Sequence, residues 1–198
     1  MASVDLIFAT NNANKVKEIK AVTGSTLSIL SLAEAGIDID IPEPHDSLEA
    51  NASEKSGVIH QLTKKNCFSE DTGLEVEALN GAPGVKSARY AGDNRDFQAN
   101  IDLLLQNLKP YTNRAAQFRT VISLIWNQQE FLFEGICKGQ ILDVQRGHDG
   151  FGYDPIFVPD GATKTFAEMR LEEKNQFSHR KKAMQQLLAF LHSALEKA

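Results

Sequence analysis

Phe68-Ser69-Glu70-Asp71-Thr72-Gly73 is the stretch on which the reading of this chain turns. Asn66 to Ser69, with the apolar Cys67 and Phe68, reads as a strand, and Thr72-Gly73 reads as a turn before a second strand in which Leu74, Val76 and Ala78 alternate. That places Glu70 and Asp71 at the exit of a buried strand. Carboxylates held still there can grip a hard cation through oxygen, and one of them can polarise a water for attack. An ordinary strand-to-turn junction uses the same residue types, and these six positions alone do not decide between the two readings.

Upstream, Val4-Asp5-Leu6-Ile7-Phe8-Ala9 is a short apolar run rich in strand formers and reads as a buried first strand. It leaves through Thr10-Asn11-Asn12-Ala13-Asn14-Lys15. Ala13, Val16, Ile19 and Val22 then fall at helical spacing, with Asn12 or Asn11 as cap and Gly24 as stop. A polar strand-to-helix turn with a lysine in the first helical turns suits a phosphate, because backbone N–H groups and the helix dipole face the anion and the ammonium adds charge. A plain capped surface helix has the same look. The stretch is neither GxxxxGK[ST] nor GxGxxG, so P-loop and Rossmann chemistry are not indicated.

Thr26 to Leu32 reads as a second strand, and Ser31 to Gly36 as a short helical turn closed by glycine. Ile37, Ile39 and Ile41 alternate with aspartates in a strand or extended segment that Pro42 and Pro44 end. Ser47 caps a longer helix whose Leu48, Ala52, Ile59 and Leu62 keep three-to-four spacing up to Lys64-Lys65. Beyond the acidic run, Asn80 to Gly84 is a turn cluster. Asn94 to Leu108 is a helix with Phe97, Ile101, Leu104, Leu105 and Leu108 on one face, stopped before Pro110. Phe118 to Trp126 and Glu130 to Ile141 flank Asn127-Gln128-Gln129 as two long antiparallel strands, a lobe or a dimer platform.

Gly150-Phe151-Gly152-Tyr153-Asp154 is a glycine-rich loop with aromatic residues set into it, followed by the strand Ile156-Phe157-Val158. Glycines let backbone approach a ligand, and an aromatic face can stack on a purine; aromatic anchors into the core would look alike. Thr165 to Glu173 reads as a short helical stretch. Ser178-His179-Arg180-Lys181-Lys182 opens the last helix, with Ala183, Leu187, Phe190, Leu191 and Ala194 inward. Cations at a helix N-terminus oppose its dipole, so this cluster asks for an anionic or acceptor-rich partner.

The 198 residues suffice for one well-filled core and carry a net charge of -5, which would not draw in nucleic acid or an anionic membrane. No run of about 18 apolar residues occurs, and Met1 to Thr10 has no basic region before its apolar stretch, so a cytoplasmic protein is expected. Cys67 and Cys137 lack CxxC spacing and read as buried free thiols. The pairs His45-Asp46 and His148-Asp149 lack the further ligands that a His-Asp phosphohydrolase needs, and no GxSxG elbow is present.

Thr10 to Lys15, Ser69 to Leu74, Gly81-Ala82-Pro83-Gly84 with Ser87 to Tyr90, Gly150 to Pro155, and Phe166 to Met169 through Lys174 to Arg180 together closely resemble the inosine triphosphate pyrophosphatase family. Each motif is weak alone, but five in the family's order, from about residue 7 to about 185, are specific. The resemblance implies an α/β fold with a long, curved mixed β-sheet and flanking helices, in one domain over 1–198 with two lobes, a central active-site cleft and a homodimer. It implies hydrolysis of ITP, dITP or XTP to the monophosphate and pyrophosphate with Mg2+.

By the same resemblance Thr10, Asn11, Asn12, Ala13, Asn14 and Lys15 hold the triphosphate. Asp71 is proton acceptor and magnesium ligand, and Thr72 a substrate contact. Phe151, Gly152, Tyr153 and Asp154 line the base pocket, and Lys174, His179 and Arg180 contact the nucleotide. Many members carry Glu directly before the Asn of an ENAxxKA helix; here Ala50 precedes Asn51 and Glu49 lies one place earlier. A helix turns about 100° per residue. The expected metal ligands are therefore Asp71 with Glu70, or with Glu49 reaching by a shifted route. Lys15 and Lys55 offset charge on the departing pyrophosphate. Arg180, with a loop amide, is the expected donor to the purine 6-carbonyl, a hydrogen bond that adenine cannot complete. Two rivals remain: a Maf-like nucleotide pyrophosphatase of other specificity, and a nucleotide-binding module without turnover.

Overall fold

The first strand, β1 (Asp5–Phe8), sends Leu6 and Phe8 to one face and Ile7 to the other, and all three are buried. A strand apolar on both faces needs cover on both, which parallel pairing with crossover helices provides. In the computed structural model, which describes residues 5–23 and 27–196, β1 pairs in parallel with β2 (Ser28–Ser31) and with β3 (Cys67–Val76). Helix α1 (Ala13–Thr23) connects β1 to β2, and α2 (Leu48–Thr63) lies between β2 and β3 in the chain. Val4, Gly24 and Thr26, expected at element ends, lie outside the described residues.

After β3 come β4 (Pro83–Gly84), α3 (Phe97–Leu108), β5 (Ala115–Trp126), β6 (Gln129–Ile141), β7 (Phe157–Pro159), α4 (Leu171–Lys174) and α5 (His179–Glu196). They complete a seven-stranded mixed sheet in the order β2-β1-β3-β5-β6-β7, with β4 antiparallel to β3. The α/β fold with a mixed sheet and flanking helices is the one expected. The hairpin β5–β6 turns on Asn127 and Gln128, both at positive φ (50° and 67°), the combination that a two-residue turn matching strand twist requires. Among the described residues no helix is long and apolar enough to cross a membrane.

By packing, the chain divides into two compact units interleaved in sequence. The first comprises Met1–Asp71, Thr120–Gly135 and Arg180–Ala198, and the second Thr72–Arg119 and Ile136–His179. In the first unit Leu6, Phe8, Ile29 and Phe68 pack with Ile19 of α1 and with Ala183, Met184, Leu187 and Leu191 of α5. Ile7, Ala9 and Cys67, on the other face, pack with Ile59 of α2 and with Ile41. In the second unit Leu74, Val76, Phe118, Cys137 and Phe157 form a core with Ile101, Leu104 and Leu108 of α3 and with Tyr153, Phe166 and Met169.

Four expectations change. The acidic run does not leave a strand: Cys67 to Val76 is one continuous strand, and Ala78 lies in a 3-10 turn after it. Gly73 is needed for proximity to β4, since a Cβ there would stand 2.6 Å from Gly84 O. Ile37 to Ile41, expected as a strand or an extended segment, lies outside the strands, and Ile37, Ile39 and Ile41 all join the α2-side core. Helix α3 begins at Phe97 behind an Asp96 cap, not at Asn94. Leu62 is 59% exposed, because ten residues after Ala52 it has rotated about 80° off the buried face at 100° per residue. Ala13, the first residue of α1, is also exposed.

Candidate active site

Glu70 and Asp71 are neighbours on a strand, so their side chains point to opposite faces. Glu70 shares its face with Phe68, the side covered by α1 and α5. Its Oε2 accepts from Arg180 Nε at 2.7 Å and its Oε1 from Arg180 Nη2 at 3.1 Å, and Lys15 Nζ lies 2.9 Å from Oε1. Arg180 Nη1 also donates to Glu18 on α1. The carboxylate is fully enclosed. Burial alone would raise its pKa, but Arg180 and Lys15 outweigh burial and hold it far below the usual carboxylate range. Arg180 sits in the first turn of α5, where a cation opposes the dipole; Glu70 and Glu18 compensate it. Three of its five N–H donors are thereby spent on carboxylates. Arg180, expected as the base-reading donor, is here a 1% exposed guanidinium tying β3, α1 and α5 together.

Asp71 shares the opposite face with Cys67 and Ser69, and that face lies under α2. Ser69 Oγ donates to Ala52 O at 2.5 Å and Cys67 Sγ to Ser56 O at 3.3 Å, which fixes the helix on the strand. Burial pushes the Cys67 thiol up to about 12, so it is no nucleophile. From α2, Lys55 brings its Nζ to 3.3 Å from Asp71 Oδ1 and 2.5 Å from Glu43 Oε1. Asn51 places Glu43 there: its Oδ1 accepts from His45 N at 3.0 Å and its Nδ2 donates to His45 O at 3.1 Å, pinning the segment before the helix to its first turns. Burial and the Glu43 charge raise the Asp71 pKa against the pull of Lys55 and Lys15. Burial opposes the charge on Lys55, yet Asp71, Glu43 and Glu70 together raise its pKa. One cation shared among several anions stays charged while each anion is held less firmly. Asp71 Oδ2 is buried with no hydrogen-bond partner.

A three-carboxylate metal shell of Asp71, Glu70 and Glu49 is not assembled. Among the described residues no group of three or more His, Cys, Asp or Glu could hold a metal ion. Strand alternation explains why, since Glu70 faces Arg180 and Lys15 while Asp71 faces α2. Magnesium, however, commonly takes one or two protein carboxylates and completes its shell with water and substrate phosphates. The buried, unbonded oxygen of Asp71, with Glu43 near, fits that use. In the Thr10–Lys15 turn, Asn12 Oδ1 accepts from Asn14 N at 3.0 Å and Lys15 N at 3.3 Å, so Asn12 is the cap. Asn11 Nδ2 donates to Ile39 O at 2.8 Å, and Ala13 and Asn14 are exposed.

The second unit holds a separate cluster. Lys174 Nζ donates to Asp154 Oδ2 at 2.6 Å and stands 5.3 Å from the Phe151 ring centroid and 5.1 Å from that of Phe166. Phe151 N donates to the same Asp154 oxygen at 3.0 Å, closing the glycine loop. Gly150, at φ 79°, is obligatory, since a Cβ would fall 2.1 Å from Asp154 Oδ2. His179 stacks on Phe118 at 4.8 Å between centroids. Tyr153, expected in the base pocket, is a core residue whose hydroxyl donates to Ser87 O at 2.9 Å. Thr72 is half-buried on β3.

Sequence reasoning missed Glu18 and Glu43. An acidic residue four before Val22 and three after Lys15, on the inward stripe of α1, was a readable signal for Glu18. For Glu43 the signal was confinement between Pro42 and Pro44, which fixes the backbone on both sides.

A model of the Ham1 family matches residues 6–190. A dITP/XTP pyrophosphatase of Flavobacterium psychrophilum is 50% identical over 187 residues, covering 94% of this chain and 98% of that protein. One of Porphyromonas gingivalis is 49% identical over 187 residues, covering 94% and 96%. Among solved structures, the Ham1 protein of Staphylococcus aureus superposes with a TM-score of 0.86 at 39% identity, covering 96% of this chain and 99% of that one. A HAM1 protein of Coxiella burnetii gives 0.87 at 33% identity, with the same coverage.

Proposed function

The chain belongs to the Ham1 family, and on that premise we propose that it hydrolyses the non-canonical purine nucleoside triphosphates dITP, ITP and XTP to the monophosphate and pyrophosphate. The observation that carries the catalytic reading is the buried Asp71 oxygen without a hydrogen-bond partner, beside a lysine already in place. A carboxylate kept basic by burial and by a neighbouring anion is suited to orient a water and take its proton. Lys55 and Lys15 meet the phosphate oxygens, and the turn Thr10 to Lys15 receives the chain of phosphates. Asp71 and Glu43 would hold Mg2+, which would supply neutralisation of the charge developing on the phosphate oxygens. Glu70, Glu18 and Arg180 position Lys15 and take no part in metal binding. Glu49 is left outside this shell.

Base choice belongs to Lys174, Asp154 and Phe151. An ammonium fixed by Asp154 beside an aromatic face supplies a donor that a 6-carbonyl accepts, whereas the 6-amine of adenine presents N–H to N–H. His179 supports this wall through its stack on Phe118. Free nucleoside triphosphates are cytoplasmic, and we place the protein there, as a homodimer. The test is pyrophosphate release from dITP, XTP, dATP and dGTP with Mg2+. The proposal expects kcat/KM for dITP and XTP to exceed that for dATP by at least about 10²-fold; equal values for dATP and dITP refute it. A Maf-like specificity for pyrimidine or canonical nucleotides would appear in the same panel.

A further inference from the structure

The ammonium of Lys55 sits between two carboxylates. It lies 2.5 Å from Glu43 Oε1 and 3.3 Å from Asp71 Oδ1, and it is nearly buried. Its helix is fixed on β3 by the Ser69 and Cys67 contacts and on β5 by the 2.6 Å bond between Ser56 Oγ and Ser123 Oγ. Two carboxylates this near each other need a counter-charge, and Lys55 provides it from within the chain. The other oxygen of Asp71, Oδ2, remains buried without a hydrogen-bond partner. A divalent cation approaching Oδ2 therefore meets a positive charge seated on the same carboxylate, in surroundings where charges interact strongly. Phosphate oxygens relieve that conflict, because they give the ammonium another acceptor.

We propose that Lys55 is a built-in competitor of the divalent cation, occupying the Glu43 and Asp71 carboxylates in the nucleotide-free protein and yielding them when a triphosphate takes up its ammonium. The inference rests on the reading of Asp71 as the cation-binding residue of a nucleotide hydrolase. Lys55 then has two roles in sequence. Without substrate it keeps Asp71 and Glu43 charged and in register while holding metal affinity down; with substrate it moves to the phosphates, and the freed carboxylates receive the metal. Nucleotide and metal consequently bind as a coupled pair.

The experiment is Mn2+ binding to the full chain in the absence of nucleotide, followed by the electron paramagnetic resonance signal of free Mn2+. Wild type is compared with the neutral variants Lys55→Met and Lys55→Gln and with Lys55→Arg, folding being checked by circular dichroism. Removing the competing charge is expected to tighten Mn2+ binding at least about tenfold in the neutral variants, while Lys55→Arg stays as weak as wild type. Two neutral replacements are used so that misfolding of one leaves the other to decide. Folded neutral variants that bind Mn2+ no more tightly than wild type overturn the proposal, as does Lys55→Arg binding as tightly as Lys55→Met. Pyrophosphate release from dITP by the wild-type protein tests the hydrolase reading separately: its failure removes that reading, while the Mn2+ titration still decides whether Lys55 competes with a cation.

Discussion

At the scale of single residues, Glu70 and Asp71 are chemically similar and energetically opposed. Glu70 is held ionised by Arg180 and Lys15, so its pKa lies below its unfolded value near 4.5. Its contribution to stability is therefore complete above about pH 4.5 and is lost as the pH falls through that value toward its own depressed pKa. Glu70→Gln leaves Arg180 buried with less compensation and should lower unfolding free energy by about 3–5 kcal/mol at pH 7, measured by urea denaturation. The gap between variant and wild type should close below pH 4.5. Asp71 is the reverse case, with its pKa raised by burial and Glu43. Its ionised form opposes folding above its unfolded value of 3.8, increasingly as the pH rises toward its folded pKa. Asp71→Asn should thus cut kcat by about 10²–10⁴-fold while the thermal midpoint at pH 7 stays the same or rises. A fall in both would mark Asp71 as a structural acid. Asp71 was legible in sequence through its motif. The task of Glu70 was hidden by a misread strand boundary: with 67–76 taken as one strand, alternation alone separates the two acids.

At the scale of elements, β1 and the β5–β6 hairpin were readable because their signals are local. Leu6, Ile7 and Phe8 form a two-sided apolar run, and Asn127-Gln128 sits between two long alternating stretches. The course of β3 was not, because Thr72-Gly73 suits a turn and a strand alike. What decides it is long-range: Leu74 pairs with Gly84, and Gly73 approaches Gly84 too closely for any side chain. Gly73→Ala should push β4 off β3 and cost about 1–3 kcal/mol, read as a shift of the urea midpoint. No change would mean that the approach of β4 places no demand on this position. Helix α2 shows the same division. Its Ser47 cap, which accepts from Ala50 N at 3.2 Å, follows from local chemistry. That Lys55 on the helix would meet Glu43 follows only from the way Asn51 folds the preceding segment back.

At the scale of the whole molecule, the mixed sheet with its helices and the membership of the Ham1 family over residues 6–190 agree with five ordered motifs, none of them sufficient alone. The fold was legible because those motifs keep their order and spacing along the chain. The partners of Glu70, Asp71 and Arg180 were not, since they join positions as much as 162 residues apart. The account's central claim is that water attacks the α-phosphorus of the nucleotide. Hydrolysis of dITP in 18O-labelled water, with both products analysed by mass spectrometry, tests it most directly. The account predicts one labelled oxygen in dIMP and none in pyrophosphate, whereas label in pyrophosphate, or release of orthophosphate in its place, would contradict it.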